Sequence, residues 1–367
     1  MRTYNILICL FLLLFSSLNA QSKKLQSKIQ TPAPSWMMEQ IKKDLSCIKE
    51  KGFSKNDLTA VLEQFKNDPH VLFFEIVNNK VRCKRFCKTF QNASDERFFY
   101  ERYAPISKAL RCLASHKMLP DLCFILTLQD SISFDTAAPI MTFAKNKNAK
   151  NVIAFPDFEA VRGYHLLNRE INTASSKYPF DHKIEKAFWR GASTGGVYTE
   201  ANWNTFPRAI ASLASRSHPD LVDAKLSDFV QIQDAIVYKH MRKKRLKGAH
   251  ASKDEHIQHK YLLDIDGNSC AYSRLYWILL SNSTCLKQVT SDEQWYYAGL
   301  KPGVHYIPLK EDLSDLIDKI TWAKSHPAEC EQIAKNATGF AENNLGYFDV
   351  LKYIYLLLNE YAKLQKF

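Results

Sequence analysis

Apolar positions recur first at helical spacing and then at strand spacing. From Trp36 to Ile48 the residues Met37, Met38, Ile41, Leu45 and Ile48 share one face, which predicts an amphipathic helix. Ser54 and Asp57 form a capping-box pattern that opens a second helix running to Phe65. Val71–Val77 is an apolar run that predicts a strand. Asn78-Asn79 then turns it into Lys80–Lys84 as a hairpin. Beyond this the rhythm changes. Short apolar strands are predicted at 124–128, 151–155, 186–190, 261–265, 285–289 and 305–309, with helical stretches between them. Leu275–Leu280 is apolar all round and predicts a buried helix. Residues 312–324, 328–342 and 347–364 predict three more helices. Alternating strands and helices imply an α/β fold with mostly parallel sheets.

The N-terminus stands apart from this pattern. Arg2 precedes an uncharged apolar run from Ile6 to Phe15, and a small, polar end closes at Ala20. That is the pattern of a secretory signal peptide over residues 1–20, with an uncleaved anchor as the alternative. Gln21–Ser35 is polar, carries Pro32 and Pro34, and reads as a linker. The expected division is a domain at 36–180, a second at 181–345 and a terminal helix at 346–367. The total of 367 residues fits two domains at about 150 residues each.

Composition changes this picture little. Hydrophobic residues are 46% and charged residues 24%, which excludes a disordered chain, a collagen and a coiled coil. Fifty Lys and Arg against 38 Asp and Glu leave a formal charge of +12. The densest basic stretch is 239–250. A solvated face is its plainest reading and nucleic acid is disfavoured by the export signal, while an anionic membrane surface, a phosphorylated glycan or a nucleotide-sugar stays open. Cys9 lies in the signal. The eight cysteines that follow suit disulfides in an oxidising compartment, with pairing undetermined by spacing. Cys83 and Cys87 lack a second ligand pair for zinc, so no metal is expected.

Three places carry candidate chemistry. Asp130 follows the strand at 124–128, at the strand end where α/β proteins present groups to a ligand crevice; an ordinary turn aspartate is the alternative. Arg190 and the loop Gly191, Ser193, Gly195 and Gly196 offer a guanidinium and backbone N–H groups to an anion, or form a simple turn. Gly267, Asn268, Ser269, Tyr272, Ser273 and Arg274 span a polar turn and a helix start after the strand at 261–265, which suits a pyrophosphate or is a plain helix cap. Asp264-x-Asp266-Gly267 is not a calcium loop, because the glycine falls too early and position twelve is Leu275.

Three blocks, KAFWRGASTGG, KYLLDIDGNSCAYSRLYWILLSNSTCLKQ and WYYAGLKPGVHYIPLKEDLSDL, keep an order and spacing that resemble glycosyltransferase family 90, from about Val71 onward. The resemblance implies a GT-B fold, two Rossmann-like domains facing a cleft. It implies an inverting, metal-independent transfer from a UDP-sugar, glucose or xylose favoured, with no cofactor. Asp130 aligns with the family's catalytic aspartate. Arg190 and Gly267 to Arg274 align with its donor-binding residues. His305-Tyr306 matches a motif read as structural. The segment Phe155–Tyr164 looks more like the bacterial members, so a glycan or a lipopolysaccharide or capsule precursor stands beside a protein serine as acceptor. The expected place is the secretory pathway (the endoplasmic reticulum lumen) in a eukaryote and the envelope in a bacterium. A non-catalytic glycan-binding or chaperone-like protein of the same fold is the rival reading.

Overall fold

The computed structural model describes residues 21–366, and the predicted signal at 1–20 lies outside the described residues. The chain is an α/β protein built on two five-stranded sheets that face each other across a seam. The first sheet holds β1 (Val71–Val77), β2 (Lys80–Arg85), β3 (Leu122–Thr127), β4 (Ile140–Thr142) and β5 (Val152–Ala154), in the order β2-β1-β3-β4-β5. β1 runs antiparallel to both neighbours, whereas β3, β4 and β5 are parallel. The β1–β2 hairpin is the expected one. Asn78 and Asn79 adopt φ of 49° and 56°, which matches the right-handed twist of the strands they join. The second sheet holds β6 (Ile184–Gly191), β7 (Val222–Leu226), β8 (His259–Asp264), β9 (Thr284–Gln288) and β10 (Ile307–Leu309). Its order is β7-β6-β8-β9-β10 and every pairing is parallel. β3, β8 and β9 are buried along their whole length; β3 reads as an apolar run, whereas His259, Lys260 and Asp264 interrupt β8 and Lys287 and Gln288 interrupt β9.

Two connections cross the seam. Asp292–Glu293 leaves the second sheet and pairs antiparallel with Ala144–Asn146, which pairs in turn with Ser131–Ile132. The Tyr347–Ala362 helix returns to the first unit and packs on the Ser35–Leu45, Ala93–Ser115 and Phe158–Arg162 helices. Behind it, Gln365–Lys366 pairs in parallel with Phe53–Ser54. The Gln365 side chain donates to the Cys123 carbonyl (3.1 Å) and accepts from its N–H (2.8 Å).

Several local readings hold. The Ser35–Leu45 helix buries Met37, Ile41 and Leu45, and Ser54 and Asp57 form a complete capping box at Lys55–Gln64. Others are corrected. The polar stretch at 21–35 is no linker: residues 21–30 are helical. Leu25 is buried, Lys28 pairs with Asp349 at 2.5 Å, and Lys352 donates to the Thr31 and Pro32 carbonyls. Two apolar residues one turn apart, Leu25 and Ile29, anchor it among lysines and glutamines that hid the pattern. The eight cysteines from Cys47 to Cys330 stand singly, contrary to the expected disulfides. Cys123, Cys270, Cys285 and Cys330 are buried as small apolar groups.

Candidate active site

Asp130 lies three residues beyond β3, on the face of the first unit turned to the seam. Its Oδ1 accepts from Arg102 Nη2 at 2.8 Å, while Arg102 Nη1 donates to the Leu128 carbonyl at 2.7 Å. The guanidinium is clamped over Phe98 (3.8 Å) and Phe158 (4.7 Å). The fork therefore fixes both the carboxylate and the backbone before it. From the second unit, the Tyr272 hydroxyl donates to the Asp130 carbonyl. One candidate base is thus held from both sides of the seam. Arg102 escaped sequence reading because it sits inside a 23-residue helix, Ala93–Ser115, whose internal Pro105 masks its periodicity.

The turn after β8 is built from the expected residues. A Cβ on Gly267 would meet the Thr194 hydroxyl and lie 2.7 Å from Arg208 Nη2, so only glycine fits there. Asn268 Oδ1 accepts from Gly195 N (3.1 Å) and Gln231 Nε2 (3.0 Å), binding the two loops together. Ser269 is buried beneath them, and its carbonyl accepts from Gly267 N at 3.0 Å. The Tyr272–Leu280 helix follows, and Ala271 at its N-cap supplies no side-chain bond. Its first N–H groups are therefore free of a side-chain cap. Ser273 and Arg274 occupy this first turn, half-buried. Arg274 Nη2 donates to the Arg190 carbonyl at 2.9 Å, and Nη1 is buried without a partner.

Around β6 the placement differs from expectation. Arg190 does not turn its fork to the glycine loop. It pairs with Asp223 on β7 (2.9 Å), donates to the Asp223 and Trp189 carbonyls, and stacks on Phe188 (4.3 Å). Alternation along the strand sends Trp189 to the opposite face. Gly191 ends the strand, and a Cβ there would lie 2.6 Å from the Trp189 ring. Ser193 is buried and staples the loop: its Oγ donates to the Val230 carbonyl (2.6 Å) and accepts from Val230 N (2.8 Å).

Arg208, at the start of the Pro207–Ser217 helix, was not foreseen. It donates to the carbonyls of Ala192 (2.8 Å), Asp266 (2.9 Å) and Ile265 (3.1 Å), and so ties the ends of β6 and β8 together. Arg208 and Arg274 lie 5.5 Å and 5.8 Å from the Trp189 ring, and neither forms an ion pair among the described residues. Burial, reinforced by the nearby Arg274 charge, pushes Arg208 down to about 10; burial also lowers Arg274. The sequence carries no signal for this residue, since its role is set by a contact across 57 residues.

A cavity of about 640 Å³ opens along the C-terminal edge of this sheet. Thr194, Gly267, Gln288, Thr290, Glu311 and Asp312 are among its walls. Asp266 and Asp292 make the lining more acidic still, and burial raises Asp292 above the usual carboxylate range. Loops at the carboxyl ends of parallel strands are where such sheets bind ligands. Among the described residues no cluster of three or more His, Cys, Asp or Glu side chains is arranged to hold a metal ion.

Two buried carboxyls flank the seam. Asp157 caps the Phe158–Arg162 helix, its Oδ1 accepting from Glu159 N (2.9 Å) and Ala160 N (3.1 Å), while its buried Oδ2 has no partner. Burial pushes it up to about 7. Asp264 ends β8, fully buried, with Lys287 Nζ 3.8 Å away. Burial pushes Asp264 up to about 6 against the pull of Lys287. Phe155 and Trp189 are core, Tyr164 stacks on Tyr276 at 3.7 Å, and Phe158 faces Tyr272 at 6.2 Å.

These features define a two-unit α/β protein in which Asp130 of one unit meets Tyr272 of the other and an acidic-walled crevice opens at the strand ends of the second sheet. The family model for glycosyl transferase family 90 matches residues 30–367, and the chain belongs to that family. The match starts before Val71, where the resemblance first became visible. The chain is 27% identical to Protein O-glucosyltransferase 2 of Danio rerio, over 89% of this chain and 62% of that protein. It is 29% identical to Protein O-glucosyltransferase 3 of Mus musculus, over 80% of this chain and 56% of that protein. It therefore spans about three fifths of the length of these curated relatives. Among solved structures, Anabaena HepE in complex with UDP and glucose is similar at 12% identity and a TM-score of 0.40, over 70% of this chain and 75% of that one.

Proposed function

We propose that this chain is an inverting, metal-independent glycosyltransferase. It moves a hexose or pentose, glucose or xylose favoured, from a UDP-sugar to a hydroxyl of a glycan, of a lipopolysaccharide or capsule precursor, or of a protein serine. The observation that carries this reading is the buried Arg208 guanidinium against Gly267 of the crevice wall, with half-buried Arg274 and its buried, unpartnered Nη1, neither arginine in an ion pair among the described residues. Asp264 is the nearby counter-charge for both and is shared with Lys287, so a bound anion would offset the remaining cost of desolvating the two cations. The donor diphosphate would lie against Arg274 Nη1 and the uncapped start of the Tyr272–Leu280 helix. Glu311 and Asp312 would accept hydrogen bonds from the ribose hydroxyls within the acidic crevice.

The acceptor hydroxyl approaches from the first unit. Arg102 holds Oδ1 of Asp130, so Oδ2 takes the hydroxyl proton as the oxygen attacks the anomeric carbon. The glycosidic bond to the diphosphate breaks on the opposite face, and the configuration inverts. Arg274 and the helix N–H groups stabilise the charge that develops on the leaving UDP. Arg190 contributes through its carbonyl to Arg274, and its guanidinium reaches the donor only by leaving Asp223. The export pattern at 1–20 supports the secretory pathway as its place of action. The test is UDP release from a panel of UDP-sugars in EDTA, with and without acceptors. Release from one sugar that is lost in Asp130→Asn supports the reading. Absence of both release and UDP binding would replace it with a non-catalytic protein of this fold.

A further inference from the structure

The Ala235–Lys243 helix is amphipathic in an unusual sense. Val237 and Met241 point inward and are buried. The outward positions combine cations with large apolar groups. Ile236 is 66% exposed, more than any other large hydrophobic residue among those described, and Tyr238 and Val230 stand exposed beside it. Tyr238 packs edge-on against Phe229 at 5.3 Å, which joins the helix to the loop before it. From Lys239 to His250 the chain carries no acidic residue. Lys239, Arg242, Lys243, Lys244 and Arg245 are exposed. Within this stretch, only Lys247 and His250 meet a carboxylate, Asp228, at 3.8 Å and 3.2 Å.

A merely solvated helix face carries acids among its bases and keeps isoleucine inside. A polyanion would reward the cations but gain nothing from Ile236 or Val230. A lipid surface rewards both, since apolar side chains enter the headgroup boundary while lysines and arginines meet anionic headgroups. We propose that this helix and the basic turn after it dock the protein on a bilayer containing anionic phospholipid. The surface is continuous with the candidate donor loops, because Val230 N donates to Ser193 Oγ and Gln231 Nε2 to Asn268 Oδ1. Docking there sets the crevice beside the lipid–water interface and favours acceptors presented from a membrane. That last consequence rests on the transferase reading; the docking itself does not.

The test is co-sedimentation of the full chain with vesicles of phosphatidylcholine, with and without phosphatidylserine, at low and high salt. Binding is expected to require phosphatidylserine, to weaken with salt, and to fall at least about tenfold in both K243E/K244E and I236E. These positions are exposed, so melting temperatures and UDP release without vesicles are expected to stay at the wild-type level. Failure of vesicle binding with UDP release intact would overturn the docking proposal alone. Equal binding by I236E and the parent would also overturn it, as would capture by heparin that I236E leaves unchanged while vesicles are not bound.

Discussion

Asp157 and Asp264 are two aspartates in one predicament, solved differently. Each is fully buried near the end of a strand, and each faces the seam. Asp264 has Lys287 at 3.8 Å and Arg274 and Arg208 nearby; Asp157 has no such cation and, beyond two backbone N–H groups, only the Glu159 charge to raise it further. The difference shows where positive charge has been gathered. The second unit collects buried cations in excess of their close partners, as a site for an anion requires. In the first unit Lys145 pairs with Asp44 at 2.8 Å and Arg102 with Asp130 at 2.8 Å, so both cations are matched by carboxylates. The proposed division between anion holding and proton taking rests on that difference in pairing.

The largest expected effect comes from removing the proton acceptor. Asp130→Asn keeps the Arg102 contact and is expected to lower turnover by about 10²–10⁴-fold, read as UDP release at saturating donor. UDP affinity is expected to stay at the parent value, which would confine the loss to the first unit's task. Arg274→Ala attacks the other side. Calorimetry is expected to show UDP binding weakened between about tenfold and a hundredfold, the range for hydrogen bonds to charged groups. Unchanged affinity would mean that the buried cations serve the fold alone. Arg102→Gln frees the carboxylate without removing it, and kcat is expected to fall about tenfold with the donor KM unchanged. A rise in donor KM instead would break the proposed separation of tasks.

The smallest effect sharpens the aspartate comparison through pH. Asp157 holds its proton in the folded state up to about 7, whereas an unfolded aspartate loses it near 3.8. The folded chain therefore loses stability as pH rises from about 4 to about 7, and the deficit is constant above that. Asp157→Asn keeps the cap acceptor and removes the deficit. It is expected to stabilise the chain by roughly 1 kcal/mol or more at pH 8 and by little near pH 4, read by urea unfolding. Asp264→Asn is expected to relieve a smaller deficit at pH 8, since Lys287, Arg274 and Arg208 hold Asp264 at about 6 while Asp157 stands at about 7. Equal behaviour of the two variants would erase the contrast.

Much of this was legible in the chain itself. β3 is buried throughout and forms an apolar run, and β8 keeps an apolar centre at Tyr261, Leu262 and Leu263 between its polar ends. β7 escaped because it is an edge strand whose Asp223 and Lys225 dilute the run. Gly267 and Asn268 declared a turn, and the structure adds why: Asn268 joins two loops 73 residues apart. Arg102 and Arg208 left no local trace, because each acts through partners distant in sequence, and the Asp157 cap is local while its burial is not. Arg190 misled for the opposite reason. A guanidinium before a glycine loop suggests an anion, but strand alternation turned it toward Asp223.

The pairing of Phe53–Ser54 with Gln365–Lys366 has a consequence for birth on the ribosome. The first unit is made early yet lacks the partner of Phe53–Ser54, the Tyr361 ring that packs on Phe53 at 4.7 Å, and the Gln365 clamp on Cys123 until residues 361–366 emerge. The second unit takes all five of its strands from residues 184–309 and can close sooner. The amino-terminal unit is therefore completed by residues made after all five strands of the second sheet.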